Sequence, residues 1–340
     1  MQNIEDAFAS HVSNEEFVRA VYLAVFGREA DETGLRNYTE ALNTGRISRS
    51  TVLADTSQSQ EMWLSSAKRI FAKTALPDLT LAAPDRYVRV EKKDGRNTSL
   101  VFSAPEDKWF DWLESRIVAD GFYETVGSWI LVPDNSFLIL AEQIRDLGGH
   151  SVLELGCSTG NVLNALQGFG VEVEGVEISH LAMALCPPAL RSRVHFGDLL
   201  NITIHRTYDV IAGLDVFEHL NPRKIDSYIA KCAALLNSGG LLYINSPMFG
   251  VDRIFGEVFP IYLRVWEQSV DGLFRHLEVD ELGWPSGGHL IWATPVWWER
   301  LFLRHGMVRD ESKEHLLHDK YAEYFERAPA RKSIMVLRKG

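Results

Sequence analysis

The stretch Leu153–Asn161, LELGCSTGN, decides how the rest of the chain is read. The residues before it, HSVLELG, form a short apolar run bounded by turn residues and predict a buried strand. Those after it, NVLNALQGFG, carry apolar positions at helical spacing. Between them, Gly156 and Gly160 let the backbone turn tightly and come close to a ligand. The spacing is E-x-G-x-x-x-G, not the G-x-G-x-x-G that seats a pyrophosphate on a helix N-terminus. Glu154, before the first glycine, would repel a pyrophosphate and suits a cationic ligand. A nicotinamide dehydrogenase also places an acid at the end of its second strand, but predicts neither Glu154 nor the longer glycine spacing.

Outward from this loop the pattern alternates. VEVEGVEI, RVHFGD and TYDVIAGLD read as strands, PRKIDSYIAKCAALLNSGG as a helix and LLYINSP as another strand. After a long insertion come a helix, TPVWWERLFLRHG, and a final strand, KSIMVLRKG. Strand–helix alternation predicts an α/β fold with a mostly parallel sheet covered on both faces. Such sheets bind ligands at the carboxyl ends of their strands. Glu177 falls at the end of the second strand, placed to accept from ribose hydroxyls, and Asp198 at the end of the third, where a carboxylate can meet an adenine amine.

In order and spacing, VLELGCSTGNVL, VEGVEIS, VHFGDLL, YDVIAGLDVFEHL and GGLLYINSP resemble the class I S-adenosylmethionine (SAM) methyltransferases. The resemblance covers about residues 150–340 and implies a Rossmann-like sheet of seven strands. It also implies that Glu154, Gly156 and Gly160 line the methionine end of SAM, Glu177 the ribose and Asp198 the adenine edge. Cys157, Ser158, Ile178, Leu199 and Leu214 then complete the cofactor contacts. Ser158 departs from the glycine that many members carry in mid-loop.

LDVFEHL, Leu214–Leu220, follows the fourth strand. A hydroxyl is a poor nucleophile near neutral pH and needs a general base, worth ~10²–10⁴-fold, or a metal that acidifies it. Asp215, Glu218 and His219 stand at i, i+3 and i+4, so a helical turn would put all three on one face. Two carboxylates and an imidazole suit Mg²⁺ or Mn²⁺. The pattern is similar to the E-x-x-E-H of metal-dependent O-methyltransferases, with Asp for the first acid. His219 as the base, or the whole turn as a pocket wall, are alternatives the residues leave open. Asn221 and Pro222 read as the N-cap and first residue of the next helix. His289, after a glycine pair, is a second candidate for base, ligand or structural residue. His315 and His318 read as a surface pair. The insertion, residues 248–288, is aromatic-rich through Phe249, Phe255, Phe259, Tyr262, Trp266, Phe274 and Trp284, and reads as a lid. GFYETVGSW, Gly121–Trp129, is placed to close the site from the other side.

Residues 1–75 read as helices. SNEEFVRAVYLAVFG opens on a capping box, Ser13 with Glu16, and stops at Gly27. FVRAVYLAVFGREADETGLRNYTEALNTGRISRSTVL resembles a small helical domain of unknown function appended to bacterial sugar-handling enzymes; it implies no catalytic residue. READETG lacks the alternating ligands of a calcium loop and reads as a turn. Pro77 and Pro84 mark a linker, residues 76–105, with a hairpin around Asp94-Gly95. A methyltransferase domain at 106–340 completes the expected organisation.

The net charge of −11 argues against a nucleic-acid partner. Cys157, Cys186 and Cys232 have no framework spacing and fit a reducing cytoplasm. The start lacks a signal peptide's apolar core, and no run approaches the ~20 residues that span a bilayer, which leaves peripheral membrane contact open. The expected function is O-methylation with SAM of a sugar hydroxyl, on a bacterial surface glycan or its precursor. Methylation of a small hydroxylated or amine metabolite and a SAM-binding scaffold in a glycan-synthesis complex are the alternatives. The N-terminal helices are a candidate surface for a protein partner.

Overall fold

A computed structural model describes residues 13–26, 28–57, 87–91, 98–102, 108–119, 121–124, 136–248, 250–257, 276–279 and 285–340. The strands of the central sheet are β1 (Ser151–Leu155), β2 (Glu172–Glu177), β3 (Val194–Phe196), β4 (Tyr208–Leu214), β5 (Leu236–Asn245), β6 (Met307–Arg309) and β7 (Ile334–Lys339). They pair in the order β6-β7-β5-β4-β1-β2-β3. Only β7 runs against its neighbours, pairing antiparallel with both β5 and β6. The expected seven-stranded, mostly parallel sheet is therefore present. From β1 the chain winds outward through β2 and β3, then returns to lay β4 on the other side of β1. That reversal leaves a crevice at the carboxyl ends of β1 and β4.

Side-chain alternation along each strand feeds two cores. Leu153, Ile211, Leu242, Ile244, Met335 and Leu337 face one side, under α9 (Ile225–Leu235) and α10 (Pro295–Arg304). Val152, Val210, Ala212, Leu241, Tyr243, Ile334 and Val336 face the other. There they meet α5 (Ser136–Asp146), α6 (Asn161–Gly168), α11 (Glu311–Lys320) and α12 (Ala322–Arg327).

The start of the insertion is fixed by charge. The Arg309 side chain, only 1% exposed, is bonded to Asp252 at 2.7 Å and to Glu314 at 2.6 Å, both equally buried. His318 of α11 does not share the surface with His315. It stacks on Phe255 and Phe325, its Nε2 is buried without a partner among the described residues, and burial pushes it down to about 4. Both histidines lie on α11 as expected, but Phe255 from the insertion packs over His318.

Ahead of the sheet, α1 (Asn14–Phe26), α2 (Glu32–Asn43) and α3 (Arg49–Ser57) form a bundle around Phe17, Val18, Val21, Tyr22, Val52 and Leu53. The capping box is present, with Glu16 N–H donating to Ser13 Oγ and Ser13 N–H to Glu16 Oε2. READETG is a turn in which Asp31 caps α2 by accepting from Gly34 N–H at 2.8 Å. Leu181 of α7 (His180–Leu185) packs against this bundle. Residues 87–91 and 98–102 pair antiparallel as the expected hairpin. Residues 276–279, from the insertion, add a third strand to it. Gly27, both linker prolines and Phe249, Phe259, Tyr262, Trp266, Phe274 and Trp284 lie outside the described residues, as does Thr125–Trp129. Among the described residues no helix is long and apolar enough to cross a membrane.

Candidate functional site

The loop after β1 is built for a close approach. Gly156 has φ +62°, and a Cβ there would lie 2.7 Å from Val216 Cγ2. Gly160 opens α6 at φ +79°, so the chain turns without a side chain between β1 and the helix. Ser158 is left-handed too, at φ +49°, a region that costs a serine about 1 kcal/mol or more. Cys157 donates its N–H to Val176 O and turns its thiol into the core beside Gly175. It can offer a cofactor only main chain.

Three acids stand around this loop. Glu154 is buried, and its Oε2 has no partner among the described residues. Burial, reinforced by the charge of Glu177, holds its carboxyl well above the ordinary range. A buried unpartnered acceptor costs about 1–3 kcal/mol unless something donates to it, which fits the cationic amine of an amino-acid moiety. Glu177 accepts N–H bonds from Ser158 at 2.7 Å and from Ile178 and Ser179 at 2.8 Å. Three of its roughly four acceptor directions are thus taken, so it cannot receive two ribose hydroxyls without sharing one. Asp198 accepts from Leu200 N–H and from Tyr228 OH, each at 2.8 Å. Leu199 is buried in the core and Leu214 packs beneath the other face, whereas Ile178 and Phe196 are each exposed.

The turn after β4 corrects the one-face expectation. Phe217–His219 form a single 3₁₀ turn, not an α-helical one, and Asp215 before it is left-handed at φ +53°. Its carboxylate is held by Arg331, which also donates to Asn245 Oδ1 at 2.9 Å. Asp215 therefore leaves the group. His289 enters it: one ligand atom each from Glu218, His219 and His289 lie within 4.8 Å of one another. The imidazoles of His219 and His289 meet edge to face at 4.8 Å, and His289 leans on Trp292. The main chain locks this pairing, because Leu290 and Ile291 N–H both donate to Glu218 O. Nor does Asn221 cap α9, which starts three residues after Pro222. Its side chain instead accepts from Arg223 N–H and donates to Asp111 and Glu114 of α4 (Trp109–Ala119).

Burial disfavours charge on every member of the cluster. Burial pushes His219 down to about 4, against the pull of Asp215 and of the Gly288 carbonyl. Burial and neighbouring His219 hold His289 well below the ordinary range. Burial, with Asp215 adding to it, holds Glu218 well above the ordinary range; its bond from Ser246 Oγ opposes this. His219 Nδ1 lies 3.3 Å from Gly288 O, which can only accept, so Nδ1 carries the proton and Nε2 offers a lone pair. Glu218 Oε1 and His289 Nδ1 are buried without partners among the described residues. Such a group can take a proton, donate one from Glu218, or ligate a divalent ion.

Tyr123, which sequence reasoning did not single out, also belongs here. Its ring meets His219 edge-on at 6.0 Å, and burial with the charges of Glu218, Glu114 and Glu177 raises its phenol, which stays protonated. The one signal for it was the aromatic stretch GFYETVGSW. Ser246 and Arg331 carried no signal at all.

Residues 134–312, just over half of the chain, match a family model described as a methyltransferase domain, and residues 2–65 match one described as a domain of unknown function, DUF4214. An uncharacterized methyltransferase of Bacillus cytotoxicus is 35% identical over 112 residues, 32% of this chain and 53% of the relative. The chloroplastic magnesium protoporphyrin IX methyltransferase of Arabidopsis thaliana is 27% identical over 184 residues, 49% of this chain and 56% of the relative. The chain thus spans about half the length of the curated relatives it matches. Among solved structures, a SAM-bound amino pentose methyltransferase from Micromonospora echinaspora superposes with a TM-score of 0.40 at 17% identity, over 66% of this chain and 97% of that one. The 1,6-didemethyltoxoflavin-N1-methyltransferase of Burkholderia thailandensis gives 0.42 at 17% identity, over 75% of this chain and 99% of that one.

Proposed function

The chain belongs to the methyltransferase-domain family, and from that premise we propose that it methylates a hydroxyl of a sugar, on a bacterial surface glycan or its precursor, with SAM as donor. The observation that carries O-methylation is the buried cluster of His219, His289 and Glu218 at the switch point of the sheet, where burial disfavours charge on each member. An amine acceptor needs little help to lose its proton; a hydroxyl needs a base held in place. The sugar rests on the N-terminal domain, through the company that such domains keep.

SAM, when bound, supplies an already activated methyl group. Glu154, Gly156, Glu177 and Asp198 would hold it, and the unpartnered carboxyl of Glu154 and the bare turn at Gly156 fit that task. His219 would take the acceptor's hydroxyl proton at Nε2 as the oxygen gains the methyl group and the sulfonium's S–CH₃ bond breaks, its electron pair staying on sulfur. The Gly288 carbonyl keeps its ring in the working tautomer. His289 and Trp292 exclude water from the far side of the ring, and Glu218 is held by Ser246.

A second reading has its own support: two neutral imidazoles and a carboxyl, two of them with unpartnered atoms, suit Mg²⁺ or Mn²⁺. Glu218 as the carboxylate, with His219 and His289, would hold the cation, which would supply Lewis acidity to the hydroxyl. Labelled SAM with a glycan extract of the producing organism, with and without chelator, tests both. Label in polysaccharide is the expected result, and label confined to small metabolites refutes the glycan substrate. Activity that survives thorough chelation eliminates the cation. No label at all, with intact biological effects of His219→Ala and His289→Ala, points to a scaffold instead.

A further inference from the structure

Residues 108–119 and 121–124 are fastened to opposite sides of the crevice. On the side of the catalytic turn, Asn221 Nδ2 donates to Asp111 at 2.8 Å and to Glu114 at 3.1 Å. Arg223 pairs with Asp111 and Lys224 with Glu114. These partners follow His219 directly in the chain. On the cofactor side, the carboxylate of Glu124 accepts from the N–H of His180 and of Leu181, each at 2.8 Å, and from Ser179 Oγ at 3.2 Å. Ser179 N–H is itself bonded to Glu177, so Glu124 and the ribose-side acid share one residue. Between the two fastenings lie Phe122 and Tyr123. Phe122 presses on Gly288, where a Cβ would come within 2.6 Å of its ring, and Tyr123 rests on His219. Among the described residues the Tyr123 hydroxyl has no partner.

We infer that residues 108–119 and 121–124 form a strap across the methyl-transfer site, with Glu124 as the positioning residue that latches it to α7 and holds Tyr123 over the bound cofactor. The chemistry of the latch is specific. A single carboxylate takes three donors at once, two of them N–H groups at a helix start that have no partner within the helix. The cofactor end is the more exposed of the two, with Glu124 at the surface and the bonds from Asn221 part-buried, so it is the end that opens more readily. Cofactor can pass between β1 and β2 only when this end lifts, and release of the demethylated product is then limited by the same step. The inference rests on SAM-dependent methyl transfer and not on the identity of the acceptor.

The test uses the full chain and S-adenosylhomocysteine as probe, with stopped-flow tryptophan fluorescence; Trp292, beside His289, is a reporter in the site. Glu124→Ala accelerates both association and dissociation, each by about tenfold, because a gate sets both rates. Glu124→Gln, which keeps one acceptor oxygen, falls between the two. Acceleration of dissociation alone would mean a lost contact and no gate, and unchanged rates would mean no latch; either overturns the proposal. Should Glu124→Ala fail to fold, Glu124→Gln still weakens the latch, and unchanged rates there overturn the proposal equally. Absence of binding to the unaltered protein would instead overturn the cofactor assignment.

Discussion

Replacing His219 by Gln should make the protein less sensitive to acid, and the amount follows from burial. In the unfolded chain an imidazole titrates at 6.5; in the fold His219 titrates at about 4. At about pH 5 the unfolded form is almost wholly protonated, whereas roughly one folded molecule in ten carries the proton. The unfolded state binds more protons, so stability falls as pH drops from about 7 towards 4. This residue alone contributes about 2 kcal/mol of that loss by pH 5, with a limit near 3 kcal/mol below pH 4. His289 is depressed partly by His219, so its relief adds to the effect in the same direction. Glu154 and Glu218, raised in the fold, oppose the loss as pH falls, and comparing variant with parent at each pH cancels much of their part. Urea unfolding followed by circular dichroism, at about pH 7.5 and about pH 5, measures the difference. The parent should lose at least about 2 kcal/mol more than His219→Gln between the two. Equal losses would refute the buried, neutral imidazole of His219.

Three further outcomes follow from single positions. Gly156→Ala puts a Cβ 2.7 Å from Val216 Cγ2 at positive φ, and calorimetry should show S-adenosylhomocysteine affinity down by about tenfold or more, with a cooperative melt retained. Ser158→Gly relieves a left-handed serine and should raise stability by about 1 kcal/mol, read as a higher Tm. Arg309→Met leaves Asp252 and Glu314 buried without their cation and should cost about 3–5 kcal/mol in urea unfolding.

What could be seen in the sequence was what local pattern controls. The apolar runs of β1, β4 and β5, the glycines at 156 and 160, and acids at the strand ends are contiguous signals, and the sheet formed from them. The capping box at Ser13 and the turn at Asp31 are equally local. The site itself depended on pairings the spacing cannot carry. Asp215 stands where a helical ligand would, but Arg331, 116 residues away, takes it. His289 meets His219 because the main chain of Leu290 and Ile291 docks on Glu218. Asn221 is drawn to Asp111, 110 residues back, and is not spent on a helix cap. His318 is helical as read, and only the fold of Phe255 over it removes it from the surface.

The claim that the cluster takes the acceptor's proton is tested most directly by His219→Gln and His289→Gln together with S-adenosylhomocysteine binding. The variants should bind the probe within about threefold of the parent and lose about 100-fold or more of label transfer from SAM to hydroxyl acceptors. Transfer at the parental rate with intact binding would contradict the account.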